Sequence, residues 1–125
     1  MLDAFLVPEL AIEANGEGER LELAEAAAQT FSLTLAITRI AEQQSLDVSV
    51  WGSADGAEWG AKALIAFPQK FYAGVYKLLL DLSAHPEVRF LKAKWVVNRW
   101  GVGEQKPRFT FLVEIEEPAS RAVAV

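Results

Sequence analysis

From Thr30 to Thr38 the chain reads TFSLTLAIT, and alternate residues are apolar: Phe31, Leu33, Leu35 and Ile37 stand against Thr30, Ser32, Thr34 and Thr38. Side chains of a strand point to opposite faces in turn, so such a stretch has one face for a core and one for water. The same rhythm returns four times. Leu46, Val48 and Val50 stand against Asp47 and Ser49, and Tyr76, Leu78, Leu80 and Leu82 against Val75, Lys77, Leu79 and Asp81. Leu91, Ala93, Trp95 and Val97 oppose Phe90, Lys92, Lys94 and Asn98, and Phe109, Phe111, Val113 and Ile115 oppose Arg108, Thr110, Leu112 and Glu114. Several half-buried strands at this spacing predict an all-β chain, an antiparallel β-sandwich of jelly-roll type with about seven to nine strands.

Turn residues fall between these runs. Asn15-Gly16 and Asp55-Gly56 are hairpin dipeptides, because both residues of each tolerate positive φ. Gly101, Gly103 and Pro107 separate the last two strong strands. The segment ERLELAEAAAQTF carries both signals: it is rich in helix formers, yet its first half alternates. The reading adopted here is a strand at about residues 20–25, folding back on FLVPELAIEA across Asn15-Gly16. Pro8 then belongs at a strand edge or a bulge, where no ladder donor is lost.

A chain of 125 residues with 52% hydrophobic content holds one core without staples, so residues 1–118 are expected to form a single domain and 119–125 a loosely held tail. Cysteine is absent, which removes disulfides and thiolate chemistry. No apolar run nears the roughly 20 residues that span a bilayer, and Asp3 stands where a signal peptide would carry cations. No membrane partner is expected, and the expected location is cytoplasmic. With a net charge of −5 and a pI near 4.9, the chain lacks the basic surface that nucleic acid requires.

No catalytic signature emerges. Asp81, Ser83 and His85 lie within one strand end and the turn after it, whereas a triad converges from separate parts of a fold. One His and no Cys leave zinc and iron without their usual ligands, and SADGAE lacks the alternating ligands of a dedicated calcium loop. GVGEQK has neither the third Gly of a dinucleotide loop nor the Lys-Ser/Thr of a phosphate loop. No catalytic residue, metal or cofactor is assigned, and an enzyme is not expected.

The remaining signal is aromatic. Trp95 shares the apolar phase of its strand and belongs to the core, whereas Trp51 and Trp100 fall on the polar phases of theirs, Trp51 with Asp47 and Ser49 and Trp100 with Lys92 and Lys94. Trp59 lies past the Asp55-Gly56 turn. Outward Trp is either covered by the chain's own loops or offered to a partner, protein or glycan, and both readings stand. The candidate binding residues are therefore Trp51, Trp59, Trp100, Lys92 and Lys94, with Asp55 and Gly56 as a structural turn.

The order LDVSVWGSADGAEW, ALIAF, VRFLKAKW resembles that of discoidin-like (galactose-binding-like) β-sandwiches. From FSLTLAIT through SADGAEW to WVVNRWGVGEQKPRFTFLVEI, about residues 30–115, the chain also resembles small β-sandwich proteins of tailed-phage structural regions. Both likenesses imply that the Asp-Gly turn and the Trp after it are structural, and neither carries ligand residues over. The bracketing cysteine pair of secreted discoidin domains is missing, which shifts the expectation towards an intracellular or virion module. The resulting expectation is a non-catalytic structural or interaction module acting by self-association or on another protein. The alternative is a carbohydrate-binding module that stacks sugar on Trp51, Trp59 or Trp100.

Overall fold

The computed structural model describes residues 3–24, 29–40, 44–60, 62–70, 72–99 and 109–116. Among these are β1 (Asp3–Ile12), β2 (Gly16–Glu17), β3 (Leu21–Glu22), β4 (Thr30–Ile40) and β5 (Gln44–Ser53). They are followed by β6 (Ile65–Ala66), β7 (Gly74–Asp81), β8 (Phe90–Arg99) and β9 (Phe109–Glu116), with no α-helix among the described residues. Every pairing is antiparallel. One sheet runs β1-β9-β4-β7 and the other β2-β8-β5-β6, with β3 also on β8. With β2 and β3 taken as one interrupted strand, successive strands alternate between sheets except at β5 and β6, which are neighbours in one sheet, and this is the double Greek-key winding of a jelly roll.

The apolar phases meet between the sheets. Phe31, Leu33, Leu35 and Ile37 of β4 and Phe109, Phe111, Val113 and Ile115 of β9 are buried from one side. Leu46, Val48 and Val50 of β5 and Leu91, Ala93 and Trp95 of β8 are buried from the other. Trp95 meets Phe111 edge-on, with centroids 5.5 Å apart at 75°, and its Nε1–H donates to the Ala14 carbonyl at 3.2 Å. That geometry suits an aromatic pair and gives the indole its polar partner.

The N-terminal third departs from expectation. Residues 21–22 are a strand, but they pair with β8 rather than with β1, and β1 pairs with β9. Residues 13–18 are clipped to β8 instead. The Asn15 side chain accepts the Val97 amide at 2.7 Å, Gly16 lies under the Trp95 indole, and the Gly18 amide reaches the Ala93 carbonyl at 2.8 Å. Asn15-Gly16 therefore carries the chain from one sheet to the other. The helical option for 25–28, the turn residues Gly101, Gly103 and Pro107, and the tail 119–125 lie outside the described residues. Pro8 sits in edge strand β1 where the register to β9 shifts between Val7 and Leu10, a place where its missing N–H costs no ladder bond.

Gly18 marks the closest approach of this crossing. A Cβ there would stand 2.8 Å from the Leu6 carbonyl oxygen, a backbone atom that cannot swing aside. Gly18→Ala is expected to destabilise the fold by about 1–3 kcal/mol, read from the urea midpoint. An unchanged midpoint would show that β1 is free to retreat.

Candidate interaction surface

The outer face of the five-stranded sheet follows from one register. β5 and β8 pair without interruption from Gln44↔Arg99 to Ser53↔Phe90, which sets Trp51 opposite Lys92 and Ser49 opposite Lys94. The Trp51 Nε1–H donates to Ser49 Oγ at 2.9 Å, so the indole leans back along β5 into the row of Lys94. The Lys94 ammonium then lies 4.0 Å from the ring centroid. Trp59, from the loop after β5, takes the neighbouring row, with the Lys92 ammonium 4.5 Å from its centroid. A third pair continues the line, with the Arg20 guanidinium 5.4 Å over Phe90. The structure thus brings Trp51, Trp59, Lys92 and Lys94 together, and both indoles are half-buried. Trp100 lies outside the described residues.

The cations on this plate have partners within the chain. Lys92, only 9% exposed, forms an ion pair with Glu17 of β2 at 3.2 Å. Arg20 donates to the Gly56 carbonyl at 3.1 Å. A cation over an aromatic face occupies that face, and desolvation strengthens the attraction. One face each of Trp51 and Trp59 is held by a lysine of the chain itself.

The Ser53-Ala54-Asp55-Gly56 turn is self-knotted. The Ser53 hydroxyl donates to the Asp55 carboxylate at 2.9 Å and accepts the amides of Asp55 and Gly56 at 3.2 and 2.9 Å. The same Asp55 oxygen accepts the Ala57 and Glu58 amides at 2.8 and 2.9 Å. These bonds, the Glu58 amide foremost, then that of Ala57 and the Ser53 hydroxyl, pull the Asp55 pKa from 3.8 to about 2. Gly56 takes φ +78, a left-handed conformation that suits glycine. Asp55-Gly56 does not form a two-residue hairpin; it opens the longer 54–64 connection, because β5 next pairs with β6 at Val50↔Ile65.

Glu17, Arg20 and Phe90 complete the plate and were not singled out from the sequence. Phe90 had a signal, its place on the outward phase of β8 beside Lys92 and Lys94. Glu17 lies in a segment too short for any period to show, and Arg20 opens a short alternating run whose period gives no partner strand.

Other places for chemistry are sparse. Among the described residues no group of three or more His, Asp or Glu is arranged to hold a metal. His85 Nδ1 is 3.5 Å from Glu87, while the Asp81 carboxylate is held low by the Ser83 hydroxyl and amide, then by Thr30. These residues form no relay from Ser83 to His85. A cleft of about 470 Å³ lies between β1 and residues 17–21, lined by Phe5, Pro8, Leu10, Glu17, Arg20 and Leu21. Neither Asp55 nor Asp81 lines it.

This chain has likenesses to known proteins at low sequence identity. The likeness is one of fold. The chain is similar to the protein of the T13 IBDV viral particle, with TM-score 0.55 and 9% identity over 91% of this chain and 30% of that one. It is also similar to the protein of the infectious bursal disease virus VP2 subviral particle, with TM-score 0.51 and 8% identity over 91% and 32%. A cleaved adhesin domain of Lys-gingipain from Porphyromonas gingivalis follows at TM-score 0.45 and 14% identity, over 88% and 61%. The chain thus spans roughly a third of the length of the viral proteins. No protein-family model and no curated protein sequence matches.

Two outcomes test the plate. Removing the anion from a nearly buried ammonium leaves it uncompensated, so Glu17→Ala is expected to cost about 1–2 kcal/mol. In a Lys92→Met background the same change should cost little, and a double-mutant cycle of denaturation midpoints reads the difference. For Asp55, a depressed folded pKa means the stabilisation is whole above the unfolded value of 3.8 and lost as pH falls towards 2. Asp55→Asn should therefore be less stable than wild type at neutral pH, with the two denaturation midpoints converging as pH drops through that window.

Proposed function

We propose that this protein is a non-catalytic structural module that works by associating with copies of itself. The observation that carries this reading is the distribution of exposed apolar side chains. Phe5 and Leu10 on β1, Tyr72 before β7, and Val75 and Leu79 on β7 are exposed by 41–76%. These lie on, or in the case of Tyr72 just before, the two edge strands of the four-stranded sheet, and the other sheet exposes only Val96 of β8, by 45%, among the described residues. Large apolar groups gathered at sheet edges mark association surfaces more often than they mark solvent faces. The opposite sheet, by contrast, caps its outward Trp rings with its own lysines. The fold it shares with proteins of viral particles supports the reading, as does the sequence likeness to tailed-phage structural modules.

The carbohydrate reading has less support. Sugar stacking uses an open aromatic face, and Lys94 and Lys92 each occupy one.

Light scattering on a gel-filtration column at several protein concentrations tests the proposal. A discrete multimer that persists on dilution is the expected result. A monomer at every concentration would overturn self-association.

A further inference from the structure

The two open edges of the four-stranded sheet are built differently. Edge β1 is guarded: Pro8 interrupts its donors and two register shifts, Phe5/Val7 and Val7/Leu10, bend it out of line. Bulges and proline are the devices by which proteins stop a sheet from growing. Edge β7 has neither. It pairs with β4 in unbroken register from Gly74↔Ile37 to Asp81↔Thr30, and no described strand pairs with its other side.

The direction of its backbone groups can be read. The Leu82 amide bonds the Gln29 carbonyl on the β4 side at 3.0 Å. By alternation, residues 76, 78 and 80 also direct their N–H and C=O to β4, and Val75, Lys77, Leu79 and Asp81 direct theirs to the open edge. These four also carry their side chains on the outer face. Beside them β4 presents only Thr30, Ser32, Thr34 and Ala36, too short to cover them, and Val75 and Leu79 are each 64% exposed.

We infer that β7 is the self-association edge and pairs antiparallel with β7 of a second copy about a two-fold axis through Leu79. This deepens the self-association reading and rests on it. In this register Leu79 faces Leu79 of the second copy. Lys77 faces Asp81 of the second copy, and symmetry repeats the pair on the other side. All three pairs are of the hydrogen-bonded kind, so the N–H and C=O groups of the open edge find partners. Charge selects the register. A shift of the axis to Lys77 sets lysine against lysine, and a shift to Leu78 sets Lys77 against Leu79 and Asp81 against Val75. The result is one continuous eight-stranded sheet, with Leu79 at its centre and opposite charges flanking it, an isologous contact that closes on itself. Directly opposed unlike charges favour such a pair and like charges oppose it.

Charge reversal tests both the edge and its register. Lys77→Glu places Glu against Asp81 twice in a homodimer, and Asp81→Lys places Lys against Lys77 twice. Each variant alone is expected to dissociate at least about tenfold more readily than wild type in sedimentation velocity. Their equimolar mixture should regain association, because every facing pair is then Glu with Lys or Asp with Lys. Asp81 also holds Thr30 and Ser83, so circular dichroism must first show that Asp81→Lys is folded. If it is not, Leu79→Glu, which sets two carboxylates face to face on the axis, decides the matter together with Lys77→Glu. Association of Leu79→Glu and Lys77→Glu at wild-type strength would overturn the β7 edge while leaving self-association standing. Folded variants whose mixture stays dissociated would overturn this register. A wild type that never associates would remove both proposals.

Discussion

The ten-pair register of β5 against β8 is the constraint from which the rest of the molecule takes its order. It turns Leu46, Val48, Val50, Leu91, Ala93 and Trp95 inward together, and these residues are the floor on which β4 and β9 pack. A slip of one residue would turn one of the two strands over, setting Lys92 and Lys94 inward beside Leu46, Val48 and Val50, or Ser49 and Trp51 inward beside Leu91, Ala93 and Trp95. The same register therefore decides the interior and, with no further information, the composition of the outer plate. Buried apolar area holds the register in place, and the cation–aromatic pairs on the far side are its consequence rather than its cause.

The two outer faces put this arrangement to opposite uses. On the five-stranded sheet, aromatic rings and basic side chains satisfy one another, and Glu17 completes the neutralisation of Lys92. On the four-stranded sheet, β4 contributes short side chains and β7 contributes Val75 and Leu79, which nothing described covers. A net charge of −5 sets copies of the chain against one another and so opposes indiscriminate aggregation through these apolar groups.

Much of this was legible before the structure. Five of the six long strands, β4, β5, β7, β8 and β9, announced themselves because each is half-buried, and half-burial imprints a period of two; the alternate residues from Phe31 to Ile37 and from Phe109 to Ile115 are buried as their phase required. The outward phase of Trp51 and the inward phase of Trp95 were legible for the same reason. What was not legible was which strand lies beside which. Asn15-Gly16 signals a change of direction, but a turn dipeptide specifies local φ and ψ, not the sheet the chain enters next. That choice is made by Trp95 and Val97, some eighty residues on, through contacts with Ala14, Asn15 and Gly16. β2 and β6, at two residues each, are too short to carry a period, and the alternation around β3 gave a strand without its partner. The position of Trp59 over Lys92 depends on a loop path that no pattern encodes.

The placement of β9 between β1 and β4 carries a consequence for the birth of the molecule. Of the four strands in that sheet, β1, β4 and β7 are synthesised first, yet β1 is joined to the others only through β9. Until residues 109–116 leave the ribosome, Phe31, Leu33, Leu35 and Ile37 have β7 on one side and no neighbour on the other. Pairings of such long sequence separation form slowly, and the waiting intermediate exposes apolar surface and an unpaired strand. In sheet order, then, β9 is the strand that closes this half of the sandwich, and the core of β4 stays open on that side until it is in place.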